Sequence, residues 1–165
     1  MIRATRLPFY LLLLAVTACG FHLRGAQLDS LRGERIYLQS ARANALLAEV
    51  RTQLANSGID TAGTPEQGRY HLLLKNEHVQ RSILSISPVT GKVEEFQLTL
   101  SATIAILQPG DKPLLSEEKI SLQRDYFFDE GAILGKFSEE RQLEQDLREQ
   151  AANQIIRRLS AILKQ

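Results

Sequence analysis

Phe96-Gln97-Leu98-Thr99-Leu100-Ser101-Ala102-Thr103-Ile104-Ala105-Ile106 is the stretch on which the fold turns. Its even-numbered positions are apolar throughout, and its odd-numbered ones are polar as far as Thr103. A period of two is that of an extended strand, and a strand with one apolar and one polar face belongs in an antiparallel sheet covered on one side. Turn-forming residues bound it: Pro88-Val89-Thr90-Gly91-Lys92 before and Gln108-Pro109-Gly110-Asp111-Lys112 after. On the N-terminal side, Tyr70, Leu72 and Leu74 alternate with His71, Leu73 and Lys75, after which the parity is lost between Asn76 and Ser82. Ile83, Leu84 and Ile86 then follow, so a bulge or twist is expected inside this strand. On the C-terminal side, Ile120, Leu122, Tyr126 and Phe128 share one parity, interrupted by Arg124, and predict a strand from about Leu114 to Phe128. The three strands make an antiparallel meander.

An apolar sheet face needs a cover, and the chain supplies two amphipathic helices for it. Leu46, Leu47, Val50 and Leu54 form one stripe in a helix that Ser40 or Asn44 can cap and Asn56-Ser57-Gly58 ends, with Gly58 in the left-handed C-terminal position. Leu143, Leu147, Ala151, Ile155, Leu159 and Ile162 form the other, in a helix starting near Ser138, with Glu139 and Glu140 in its first turn and Arg157, Arg158 and Lys164 near its end. Ile36 and Leu38, alternating with Arg35, Tyr37 and Gln39, predict a short first strand, and the helical crossover that follows suits parallel pairing. Thr61 to Gly68, with Gly63 and Pro65, reads as a loop. The expected fold is α/β: a two-layer sandwich with two helices on one face of a four-stranded mixed sheet, in the order β-α-β-β-β-α.

The N-terminus has a different character. Arg3 and Arg6 precede an apolar run from Leu7 to Val16 that is short for a bilayer span, and the small residues Thr17-Ala18 stand before Cys19. Val16-Thr17-Ala18-Cys19 fits a bacterial lipobox, so residues 1–18 are expected to be a lipoprotein signal peptide and residues 19–165 a single lipid-anchored domain. Cys19 is the expected lipidation site, carrying S-diacylglycerol and an N-acyl chain. Two or more chains, at about 0.8 kcal/mol per buried methylene, hold a domain at a membrane firmly. Gly20 stands where an aspartate favours inner-membrane retention, which points to the outer membrane.

Composition narrows the function classes. The chain has 20 basic and 19 acidic residues; losing Arg3 and Arg6 leaves 18 against 19, a balance that argues against a nucleic-acid partner. Cys19 is the only cysteine, so after lipidation no thiol is left for a disulfide, a metal or catalysis. His71 and His78 are seven apart and would point to opposite faces of one regular strand, a poor metal pair; surface histidines are the simpler reading. Asp125, Asp129 and Glu130 have no accompanying base, nucleophile motif or Gly-rich phosphate loop, and His22 lies beside the anchor. No catalytic residue, metal site or cofactor is expected, and the chain is read as a non-enzyme.

Several short stretches carry a family likeness. Cys19-Gly20-Phe21-His22-Leu23-Arg24, Glu49-Val50-Arg51-Thr52-Gln53-Leu54 with Gly58, Gly91 followed by Glu95-Phe96-Gln97-Leu98, Tyr126-Phe127-Phe128-Asp129, and Ala151-Ala152-Asn153-Gln154-Ile155-Ile156-Arg157-Arg158-Leu159 together resemble the LptE family of lipopolysaccharide-assembly lipoproteins. The likeness covers nearly the whole chain after Cys19, and its weight lies in the order and spacing of the stretches. It implies a fold like the one derived above. It also implies a protein that binds lipopolysaccharide, plugs and helps assemble the outer-membrane barrel protein LptD, and assists delivery of lipopolysaccharide to the outer leaflet. Its location would then be the outer membrane, lipid-anchored on the periplasmic side and within the barrel lumen. The alternative is a lipoprotein that only scaffolds another envelope complex.

Because lipopolysaccharide presents phosphates and acyl chains together, the resemblance directs attention to cations near strand ends. Lys136, just before the expected final helix, Lys92 in a turn, Arg124 and Arg81 are the candidates, each with the ordinary alternative of a solvated charge.

Overall fold

The computed structural model describes residues 28–110, 112–128 and 133–164, with the backbone alone for Asp29 and residues 133–137. Cys19, His22, Asp129, Glu130 and the expected signal peptide lie outside the described residues. The elements are β1 Ile36–Ala41, α1 Asn44–Asn56, β2 Thr61–Ala62, β3 Tyr70–Ile86, β4 Val93–Gln108, β5 Lys112–Phe127 and α2 Ile133–Leu163, with short 3-10 turns at Asp29–Leu31 and Pro65–Gln67. The strand order is β2-β1-β3-β4-β5. β1 pairs parallel with both β2 and β3, while β3, β4 and β5 form the antiparallel meander.

The two-layer α/β class is the one read from the sequence, with a five-stranded rather than four-stranded sheet. The fifth strand is Thr61–Ala62, inside the stretch read as a loop. Two residues are too few to show a period, so composition alone governed that reading. At this edge Gly68 is held against β1: a Cβ there would lie 2.6 Å from the Tyr37 Cβ, closer than any side chain tolerates.

Even-numbered residues of β4 build the core. Leu98, Leu100, Ala102, Ile104 and Ile106 are buried beneath Leu46, Val50 and Leu54 of α1 and Leu147, Ala151, Ala152, Ile155, Ile156 and Leu159 of α2. Each fully buried Leu or Ile contributes roughly 1.5–3 kcal/mol. Gly58, at φ +70°, ends α1 in the left-handed conformation, with Ile59 N–H donating to Leu54 O at 3.0 Å. α2 begins at Ile133, five residues earlier than its amphipathic stripe suggested, so Lys136 lies within its first turn rather than before it.

A bulge between Lys75 and His78 accounts for the parity lost between Asn76 and Ser82, and two further register shifts lie between Ile83 and Ile86. Lys75 pairs with Thr103 and His78 with Ser101, so one extra residue sits on β3, where Asn76 has φ +53°. Before the bulge Leu72 and Leu74 face the helices; after it Val79, Arg81 and Ile83 do, opposite Leu100, Leu98 and Phe96. His71 and His78 therefore share the face away from the helices, contrary to the opposite faces expected of a regular strand. They remain about 20 Å apart along it, and the His71 ring is engaged by the Pro65 carbonyl at 3.0 Å.

The bulge also places Glu77. Its carboxylate accepts the Leu46 N–H at 3.0 Å, in the first turn of α1, and the Arg148 Nε at 2.8 Å from α2. Neither Ser40 nor Asn44 is the cap expected from the sequence: the N-cap position is Ala43, which has no side chain to offer, Asn44 is the first helical residue, and Ser40 accepts only the Ala43 N–H at 2.9 Å. A residue 31 positions downstream of Leu46 supplies the missing acceptor.

Candidate ligand-binding end of the sheet

β3 and β4 are 17 and 16 residues long, and their paired ends run past the helical cover. Among the described residues, Ile83, Leu84, Ile86, Val89 and Phe127 are the exposed large apolar ones, from 46% for Leu84 to 91% for Val89. Register collects them at one end: Ile83 pairs with Phe96, Ile86 with Val93, and Glu95 with Phe127. The tip between β3 and β4 is closed by Ser87 N–H donating to Lys92 O at 2.8 Å and Gly91 N–H donating to Ser87 O at 2.9 Å, with Gly91 at φ +71°. Ile83 lies on the helix-bearing face and Phe127 on the other, so the exposed apolar residues gather at this end from both faces of the sheet, and such exposed apolar side chains mark a candidate binding region.

Three of the four candidate cations sit on or beside this end. Arg81 and Arg124 both flank Leu98, one on each neighbouring strand, so they share a row on the helix-bearing face, about 10 Å apart across two strand spacings. Lys92 is exposed in the tip turn. Lys136 belongs to the first turn of α2, the part of that helix nearest the same end, since Glu140 one turn later reaches Arg81.

Arg81 is the most elaborated of them. Its guanidinium lies 4.8 Å from the centre of the Phe96 ring and donates to Glu140 Oε2 at 3.1 Å. Phe96 stacks on Tyr126 at 5.9 Å and meets Phe128 edge-on at 5.2 Å, which fixes the ring beneath the cation. The hydrogen bond to the Tyr126 hydroxyl, then the Glu140 charge, push the Arg81 pKa up. Burial pushes the Tyr126 pKa up, the Glu140 charge adds to it, and Arg81 opposes both.

The first described residues pack at the other end of the long helix. Ser30 Oγ donates to Ser160 O at 3.0 Å, fastening the start of the described chain to the last turns of α2. Glu140 and Ser160 are separated by about 30 Å of helix, so the apolar tip and the Ser30–Ser160 contact lie toward opposite ends of α2. An open cleft of about 800 Å³ between α1 and α2, lined by Leu28, Gln53, Glu149 and Arg157 among others, lies on the helical side, outside this apolar end.

The face of the sheet away from the helices is polar. Gln97, Thr99 and Ser101 of β4 lie between Ser82, Gln80 and His78 of β3 and Asp125, Gln123 and Ser121 of β5. Gln97 Nε2 donates to Asp125 Oδ1 at 2.8 Å, which gives Asp125 a structural partner. Among the described residues no group of three or more His, Cys, Asp or Glu is placed to hold a metal ion, and no helix is long and apolar enough to cross a membrane.

Sequence reasoning selected the cations by charge and position, but it missed the apolar tip and Glu77. Ile83 and Leu84 were apolar neighbours in a strand, and adjacent apolar residues breaking a period of two were the available signal. Nothing local to Glu77 marks it as a cap for a helix preceding it in the chain.

Residues 33–159 match the family model described as LptE, lipopolysaccharide-assembly. The LPS-assembly lipoprotein LptE of Pectobacterium atrosepticum is 32% identical over 158 residues, covering 92% of this chain and 82% of that protein. Its namesake in Photorhabdus laumondii is 28% identical, with the same coverage. Among solved structures, an uncharacterized lipoprotein B from Nitrosomonas europaea superposes with a TM-score of 0.74 at 27% identity, over 88% of this chain and 93% of that one. The rare lipoprotein B from Shewanella oneidensis gives 0.67 at 28%, over 78% and 95%.

Proposed function

Because this chain belongs to the LptE lipopolysaccharide-assembly family, we propose that it is a non-enzymatic lipopolysaccharide-binding lipoprotein whose ligand sits at the bare end of the sheet. The observation that carries this is the coincidence at one end of exposed apolar residues, Ile83, Leu84, Ile86, Val89 and Phe127, with Arg81, Arg124 and Lys92 and the first turn of α2. Lipid A requires both kinds of surface at once. Its acyl chains gain by covering apolar side chains, and its phosphates accept from guanidinium and ammonium groups. Lys136 leads the phosphate contacts, because the unpaired amides of a helix start add a partial positive field to a full charge. Each charged contact contributes about 1–3 kcal/mol where partly shielded and less than ~1 kcal/mol where exposed.

Lipidated Cys19 would hold the domain at the outer membrane from the opposite end, leaving the tip to meet ligand. The barrel protein LptD is the partner this reading assigns, and the polar face around Thr99 and Ser101 suits a polar lumen wall, since its Gln, Thr and Ser side chains offer hydrogen bonds. A photocrosslinker at Thr99 should capture the barrel; capture only from the outer helix surfaces would reverse that orientation.

Binding of purified variants to lipopolysaccharide tests the ligand end. Lys136→Asp should weaken binding by roughly tenfold or more, as the loss of about 1.4 kcal/mol requires. Lys164→Asp, at the other end of α2, should leave it unchanged, with circular dichroism unaltered in both. Equal binding by the two folded variants would remove Lys136 from the site. Wild-type protein that copurifies with a barrel yet binds no lipopolysaccharide would favour the purely scaffolding reading.

A further inference from the structure

Arg81 occupies an uncommon position for a surface cation. Phe96 holds its guanidinium from below, Tyr126 and Glu140 hold it from the side, and yet 47% of its side chain remains exposed. An open cleft of about 490 Å³ stands in front of it, lined by Arg81, Glu140, Arg141 and Glu144. Two guanidinium groups at one cleft suit a phosphate, which a planar fork can grip bidentately. The two carboxylates do not suit it, and they differ in how firmly they are committed. Glu144 is fixed one turn along by Arg148 at 3.2 Å, itself anchored to Glu77 at 2.8 Å. Glu140 accepts from Arg81 at 3.1 Å and also meets the Tyr126 hydroxyl, but its partner guanidinium is 47% exposed, and ion pairs open to water on one side have small net strength.

We propose that this cleft is a masked phosphate site in which Glu140 acts as an internal competitor, occupying Arg81 until a phosphate of an amphiphilic ligand displaces it. The inference rests on the reading that lipopolysaccharide is bound at this end, and deepens it by assigning one phosphate contact and its control. Aromatic support fixes the guanidinium whether its partner is a carboxylate or a phosphate, so the exchange costs little reorganisation. Ile83, 55% exposed and two residues along on the same face, lies where an acyl chain of the same ligand would follow. Displacement uncouples Glu140 from β3 and loosens the first turns of α2, so ligand occupancy is transmitted to the start of the long helix. The selectivity that results favours phosphorylated amphiphiles over neutral ones, because only an anion can compete for Arg81.

The test compares wild type, Glu140→Gln, Arg81→Gln and the double variant for binding to bis-phosphorylated lipid A and to its fully dephosphorylated counterpart in mixed micelles. Removing the competitor should tighten Glu140→Gln for the phosphorylated lipid by roughly two- to fivefold. Binding to the dephosphorylated lipid should not move. Arg81→Gln should bind the phosphorylated lipid more weakly, and the double variant should match Arg81→Gln, since the competitor has nothing left to mask. Amide exchange at residues 139–142 in the wild type should speed up on adding phosphorylated lipid A. Unchanged or weaker binding by folded Glu140→Gln overturns the mask, as does an equal gain for both lipids or a gain that persists in the double variant. Wild-type protein that binds neither lipid overturns the ligand assignment itself, a failure distinct from that of the mask.

Discussion

Replacing Glu77 by Ala removes the residue that joins three elements. Its side chain is 9% exposed and that of its partner Arg148 is 20% exposed, so the pair is largely withdrawn from water. The Leu46 N–H would lose its acceptor at the start of α1, a loss of the order of 1 kcal/mol for a helix cap. Arg148 would keep only Glu144 of its two carboxylates. Burial by itself lowers the Arg148 pKa, but the hydrogen bond and charge of Glu77, followed by those of Glu144, outweigh it and leave it raised. Losing the stronger partner of a partly buried cation costs about 1.5–3 kcal/mol, so the total is roughly 2–4 kcal/mol. For a domain of this size that lowers Tm by about 6–15 °C. Glu77→Gln keeps one oxygen acceptor and should lose about half as much. Urea unfolding of wild type, Glu77→Ala, Arg148→Ala and the double variant would measure the coupling, expected at more than ~1 kcal/mol. Additive losses, or a loss below ~1 kcal/mol for Glu77→Ala, would refute the clamp.

Gly68→Ala should destabilise by about 1–3 kcal/mol in thermal melts, because its Cβ collides with Tyr37, while Gly63→Ala, whose nearest contact is an ordinary 3.5 Å, should be close to neutral. Tyr126 has a raised pKa in the folded protein, so its contribution is intact below the unfolded value of about 10 and is lost as the pH rises through the folded value. Tyr126→Phe should therefore flatten the fall in stability above about pH 10, read by denaturant midpoints across the alkaline range. Cys19→Ala should abolish fatty-acid labelling and leave unprocessed precursor; label retained by the variant would remove Cys19 from the anchor.

The period of β4 made the fold legible, because one strand with a single apolar face requires both a meander and a helical cover. The stripes through Leu46, Val50 and Leu54 and through Leu147, Ile155 and Leu159 supplied that cover from sequence alone. The bulge at Asn76 was visible only as a loss of parity, since one extra residue shifts every later side chain without leaving a composition signal. The early start of α2 was hidden because the stripe that betrays a helix records where it packs, and its regular apolar spacing begins only at Leu143. The same limit hid the tip. Ile83 and Leu84 look like core until the reach of the helices is known, and that reach is set by tertiary packing. Charge singled out Arg81 and Arg124, but their common row across Leu98 depends on the register of three strands.

Site-specific photocrosslinking in cells reads the ligand end most directly. A photoreactive residue at Val89 or Ile83 should capture lipopolysaccharide, and the same residue at Lys164, at the far end of α2, should not. Capture at Lys164 with none at Val89 or Ile83 would contradict the assignment of the bare end of the sheet as the ligand site.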